Sequence, residues 1–85
     1  MKIEFKFATG DCNSRIHVVV VDDCVFGVLV IRKHPDFKNK CVWSVFNGDG
    51  IMVEGGYGEE YDSFSVKEEI KTTLSETLKG EYGYE

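Results

Sequence analysis

Proline occurs once, at Pro35, and none of the three cysteines, Cys12, Cys24 and Cys41, belongs to a C-x-x-C pair. The lone proline cannot continue a central β-ladder, so "KHPDFKNK" is an excursion between strands. An odd cysteine count without close pairs points to reduced thiols rather than a disulfide framework. Long apolar runs are also missing: "VVVV" and "VFGVLVI" fall far short of the roughly 20 residues needed to cross a bilayer. The first residues, "MKIEFKFATGD", alternate in polarity and lack the basic, apolar and small-residue order of a signal peptide, which predicts a cytoplasmic protein. There is no internal repeat and no linker. The 85 residues are therefore read as a single domain over 1–85, with 81–85 as a frayed tail. A chain of this size hides only about 60 to 70% of its unfolded surface, which favours function on a surface over a deep internal site.

Charge is unevenly spread. Residues 1–48 carry seven Lys/Arg against five Asp/Glu, and residues 49–85 carry three against ten, for a net charge of −5. Phosphate backbones repel such a C-terminal half, whereas a basic protein partner is attracted to it.

Alternation in "KIEFKFA" predicts a half-buried strand, and "TGDCNS" supplies turn chemistry. "RIHVVVV" and "CVFGVLVIRK" are β-branched and apolar on both faces, and Asp22-Asp23 between them reads as a tight hairpin. Such strands are central, covered on one side by a helix and on the other by a second layer or a partner. Gly27 marks a bulge or a close backbone approach. "CVWSVF" and "IMVE" form the next strands, with Asn47-Gly48 as the hairpin signal between them. In "SVKEEIKTTLSETLKG" Val66, Ile70, Leu74 and Leu78 fall four apart, making a narrow apolar helical stripe. Ser65 and Glu68 match a capping box, Glu68 and Glu69 suit the positive end of the helix dipole, and Gly80 is placed for the C-terminal cap. The fold class is α+β: an antiparallel sheet of four to five strands packed by one C-terminal helix.

Several chemistries fail on spacing. Gly48 and Gly50 are followed at the third place by Val53, and Gly56 and Gly58 by Tyr61, so the dinucleotide fingerprint is incomplete. Asn47 and Asp49 begin a calcium-loop series that Ile51 interrupts. Cys12, His17, Cys24, His34 and Cys41 include no close ligand pair for zinc. Cys12, His17 and Asp11 could supply a nucleophile, base and orienter only if the fold assembled them. The expectation is no enzyme, no metal and no cofactor.

Two surfaces remain. Glu54, Tyr57, Glu59, Glu60, Tyr61 and Asp62 interleave carboxylates with aromatics, and Phe64, Glu68 and Glu69 extend the set; such a surface suits a basic protein partner. The alternative is "RKHPDFKNK", where Lys33, Phe37, Lys38 and Lys40 could hold single-stranded nucleic acid by charge and stacking. A homodimer is a third candidate, because one helix covers only one side of a sheet whose strands are apolar on both.

The stretch "WSVFNGDGIMVEGGYGEEYDSFSVKEEIKTTL" is similar to the strand-strand-helix halves of small bacterial domains, including HicB-type antitoxins, which implies a binding scaffold. In size, acidity and lack of catalytic motifs the chain resembles small phage-encoded inhibitors of host defence, of the anti-CRISPR and anti-restriction type. That resemblance implies occlusion of a basic, nucleic-acid-binding host or effector protein, with Glu54, Glu59, Glu60 and Asp62 standing in for phosphates.

Overall fold

Five β-rich segments pair in the order in which the chain makes them. The computed structural model describes residues 1–61 and 63–84, and contains β1 (Ile3–Gly10), β2 (Ser14–Val21), β3 (Cys24–Lys33), β4 (Cys41–Asn47), β5 (Met52–Gly58) and α1 (Phe64–Glu81). The strands form one antiparallel sheet in the order β1-β2-β3-β4-β5, so β1 and β5 are its edges. This is the expected α+β architecture, a five-stranded sheet packed by one C-terminal helix.

Short turns enforce the meander. Asp22 and Asp23 both take positive φ, 49° and 67°, as a two-residue turn matching the right-handed twist of its flanking strands requires. The β4–β5 turn departs from the expected Asn-Gly hairpin. Here the Asn47 side-chain oxygen accepts from the amides of Asp49 (2.9 Å) and Ile51 (3.0 Å), and the left-handed residue is Gly50, at φ 78°. Asparagine thus acts through its side chain, and the glycine two residues beyond Gly48 supplies the backbone freedom. Gly27 marks both features expected of it: the β2–β3 register shifts between Val19 and Val20, and a Cβ at Gly27 would collide with the Phe46 carbonyl.

The four-residue stripe of α1 covers one face of the sheet. Val66, Ile70, Leu74 and Leu78 are all buried, against Val19, Val21, Leu29, Ile31, Trp43 and Val45. Phe5, Phe26, Tyr61 and Tyr84 pack around this core. Tyr82 meets Phe26 edge-on at 5.8 Å, and Tyr84 packs against the core from the far side of Gly83.

Both helix ends differ from expectation. Ser63, not Ser65, is the N-cap: its hydroxyl accepts from the Val66 amide at 3.2 Å, and α1 starts at Phe64. Glu68 and Glu69 consequently lie beyond the first turn, which holds no acid. At the other end Gly80 stays helical, Tyr82 is the C-cap, and Gly83 takes the left-handed φ of 71°. The Tyr84 amide then donates back to the Leu78 carbonyl at 3.2 Å. Both shifts follow from the same cause, since the local motif sits where the buried stripe allows the chain to leave the sheet.

Three stability measurements check this packing. Leu74→Ala removes a fully buried stripe residue and should cost about 2 to 5 kcal/mol in urea unfolding. Ser63→Ala should cost about 0.5 to 2 kcal/mol, whereas Ser65→Ala should stay within about 0.5 kcal/mol. Equal losses from the two serines would contradict the cap assignment.

Candidate functional site

The glycine run of β5 is explained by what lies on it. The expected strand "IMVE" in fact continues through Gly58, because each following glycine admits a larger neighbour. Atoms of the Trp43 indole lie 3.0 to 3.3 Å from where a Cβ on Gly56 would stand. At Gly58 a Cβ would meet Cys41 Sγ at 2.7 Å and the Val66 methyls at 2.8 Å, so this glycine lets the start of α1 settle onto the strand. On the opposite face the Met52 methyl occupies the space above Gly55. These glycines serve side-chain packing.

A groove of about 780 Å³ results between β5 and α1. Trp43, Gly55 and Gly56 line it from the sheet, and Ser65, Glu68, Glu69, Thr72 and Thr73 from the helix. Tyr57 and Phe64 also line it and are among the most exposed large side chains of the molecule, at 73% and 78%. Lys71 pairs with Glu68 at 3.2 Å, while Glu69 has no cation partner among the described residues.

The predicted acidic set is divided. Tyr57 lines the groove, together with Phe64, Glu68 and Glu69. Glu54 is turned toward α1, where its Oε2 accepts the Thr77 hydroxyl at 2.5 Å and its Oε1 accepts the Gly55 amide at 3.1 Å. Glu59, Glu60 and Tyr61 lie at the end of the sheet, and Asp62 lies outside the described residues. The helix face bearing Ser65, Glu68, Glu69, Thr72 and Thr73 recurs at three- and four-residue spacing beside the apolar stripe. That spacing was the available signal for a helical groove wall.

The predicted basic set lies next to Glu59 and Tyr61. Lys40 pairs with Glu59 at 3.7 Å and stands 5.5 Å from the Phe37 ring centre. Lys33 and Arg15 approach the Tyr61 ring at 5.6 and 5.9 Å, and the Tyr61 hydroxyl donates to the Asp11 carbonyl at 3.3 Å. The Tyr61 amide donates to the Asn39 carbonyl at 3.1 Å. His34 Nδ1 accepts from the amides of Asp36 (3.0 Å) and Phe37 (3.3 Å), folding the proline-containing excursion. Lys38 shares a shallow hollow with Lys33, Asn39, Glu60 and Tyr61. Charges of both signs thus interlock here, and the end of the sheet is neither an acidic face nor a basic one.

Asp11, Cys12 and His17 have separate surroundings. Asp11 Oδ1 accepts from the amides of Asn13 (2.8 Å) and Ser14 (3.0 Å), closing the β1–β2 turn. Cys12 is exposed, while His17 is buried on the helix-covered face with Phe7 edge-on at 5.7 Å. Among the described residues no three His, Cys, Asp or Glu side chains gather to hold a metal ion, and no helix is long and apolar enough to cross a membrane. The chain matches no protein-family model, no curated protein and no solved structure.

The two backbone bonds to Asp11, helped by the charge of Lys33, hold its carboxyl below the ordinary aspartate value. A depressed folded pKa means that this contribution to stability is present above the unfolded value and is lost as pH falls through the folded one. In a carbon-detected NMR titration the Asp11 carboxyl should therefore titrate below a typical aspartate, with the Asn13 and Ser14 amides shifting at the same midpoint. A midpoint at or above the typical value would contradict the turn geometry.

Proposed function

We propose that the protein is a non-enzymatic binding protein whose groove between β5 and α1 takes an extended, basic segment of a partner protein. The observation that carries this reading is the pair of exposed aromatics, Tyr57 and Phe64, beside a groove with glycine backbone and Trp43 on one wall and Glu68 and Glu69 on the other. Exposed tyrosine and phenylalanine beside a recess supply contact area at low entropic cost, and the carboxylates select lysine or arginine. β5 is paired on one side only, by β4, so an incoming strand can add to its outer edge through main-chain hydrogen bonds.

The overall charge of −5 supports a basic partner. Together with the resemblance in type to small phage-encoded inhibitors, it favours an inhibitor of the anti-defence kind, acting in the cytoplasm by occluding a nucleic-acid-binding protein. The contact is then centred on Tyr57, Phe64, Glu68 and Glu69, with Glu59 and Glu60 at its margin. Glu54 serves instead to fasten β5 to α1 through Thr77.

Selection of lysine- and arginine-containing peptides from a display library tests the reading. Peptides bound by the native chain should lose at least about tenfold in affinity, roughly 1.4 kcal/mol, on Glu68→Lys with Glu69→Lys, and their binding should weaken with salt. Amide shifts on binding should concentrate in β5 and the first half of α1. Unchanged affinity in a folded double variant would overturn the groove reading. A low-salt gel shift with single-stranded oligonucleotides should show no complex; one that is lost when Lys33, Phe37, Lys38 and Lys40 are replaced would establish the nucleic-acid alternative.

A further inference from the structure

The sheet face opposite α1 has an apolar centre with polar margins. Strand register places Lys6, Val18, Val28, Phe46 and Met52 in one row across all five strands. The neighbouring row runs Thr9, Ile16, Val30, Ser44 and Gly55, and the next runs Ser14, Arg32, Val42 and Tyr57. Residues of these rows alternate with those buried under the helix, so they lie on the other face. Ile16, Val18, Val28, Val30, Val42 and Phe46 are only partly buried, by their neighbours in the sheet, and Met52 is 55% exposed. The charges on this face stand toward its margins: Glu4 and Lys6 on edge strand β1, and Arg32 near the end of β3.

We propose that this face is a homodimer interface, in which two copies stack their open sheets face to face. The inference rests on the centre of this face, whereas the groove reading uses the outer edge of β5 and the helix; Gly55 and Tyr57 border both surfaces. Area supports a second copy. Five strands at about 4.8 Å spacing and seven or eight residues at about 3.3 Å rise give the whole face, polar margins included, a footprint of about 500 Å² per copy, so full overlap of two copies covers about 1,000 Å², near the threshold for a specific interface. An apolar patch of several hundred Å² is about the largest that a typical monomer shows, and such a patch often marks an interaction site. The chemistry also favours a copy over the basic partner: the centre of the face offers no carboxylate, whereas β-branched side chains on one sheet pack between those of another about 10 Å away. Margins carrying both signs fit an isologous contact, in which each copy presents the same patch to the other.

The test begins with light scattering of the native chain in reducing buffer, which keeps the exposed Cys12 and Cys24 from cross-linking copies. A particle of twice the chain mass is expected at high concentration, falling toward the chain mass on dilution through the micromolar range, and a strict monomer throughout overturns the proposal. Val28→Lys with Val30→Lys, checked for native circular dichroism, should abolish the dimer; a folded variant that stays dimeric overturns it. A measurement on the native chain, free of any folding defect in the variant, uses isotope-filtered NOEs in a half-labelled sample. Contacts between copies should involve Val18, Val28, Val30 and Phe46. Contacts confined to the strand edges or to the helix would show a different interface and overturn the assignment, as would capture of a different protein on this face by a chain that remains monomeric alone.

Discussion

Everything in this molecule depends on one helix having a single four-residue apolar stripe. Val66, Ile70, Leu74 and Leu78 bury one face of a five-stranded sheet whose central strands are apolar on both sides. That burial explains why α1 sits close over β5, with Gly58 admitting Val66 and Gly56 admitting the Trp43 ring. It also produces the two surfaces left over: a groove where the helix leaves the edge strand, and an open face that no element of the described chain covers. Neither surface is a separate invention of the fold.

Periodicity made the large features legible. Alternation in "KIEFKFA", β-branched runs either side of Asp22-Asp23, and apolar residues four apart in the helix each correspond to an observed element. Local motifs were less faithful. Ser65 with Glu68 satisfies a capping-box pattern, yet Ser63 caps the helix, because the docking of Val66 against Gly58 fixes where the first turn begins. Gly80 resembled a helix terminus, but Leu78 is held in the core and the chain continues to Gly83 before reversing. The glycines of "EGGYG" invited a search for a ligand, when their nearest contacts are Met52, Trp43, Cys41 and Val66. Such contacts join residues distant in the chain and leave no trace in local spacing.

Charge was hardest to read from order alone. The acidic stretch around Glu59 and the basic excursion around Lys40 look like rival binding surfaces in sequence, but the sheet brings them together at one end. There Lys40 meets Glu59, and Lys33 meets Tyr61. Exposed pairs of this kind contribute only about 0 to 1 kcal/mol each. Their larger effect is to cancel the fields that either loop would show by itself. What remains distinctive is the groove, where Tyr57, Phe64 and Glu69 converge from a strand, a helix start and a helix flank. A small domain without room for a deep pocket thus carries this groove at the margin of its own core.

The helix seals one face of the sheet, and in the proposed dimer a second copy seals the other, a difference that a soluble paramagnetic agent can read directly. The account predicts that methyl signals of Leu29, Val45 and Leu74 resist broadening at every protein concentration. Those of Val18, Val28 and Val30 should be shielded at high concentration and become accessible on dilution. Open-face methyls that broaden strongly and equally at all concentrations would contradict it.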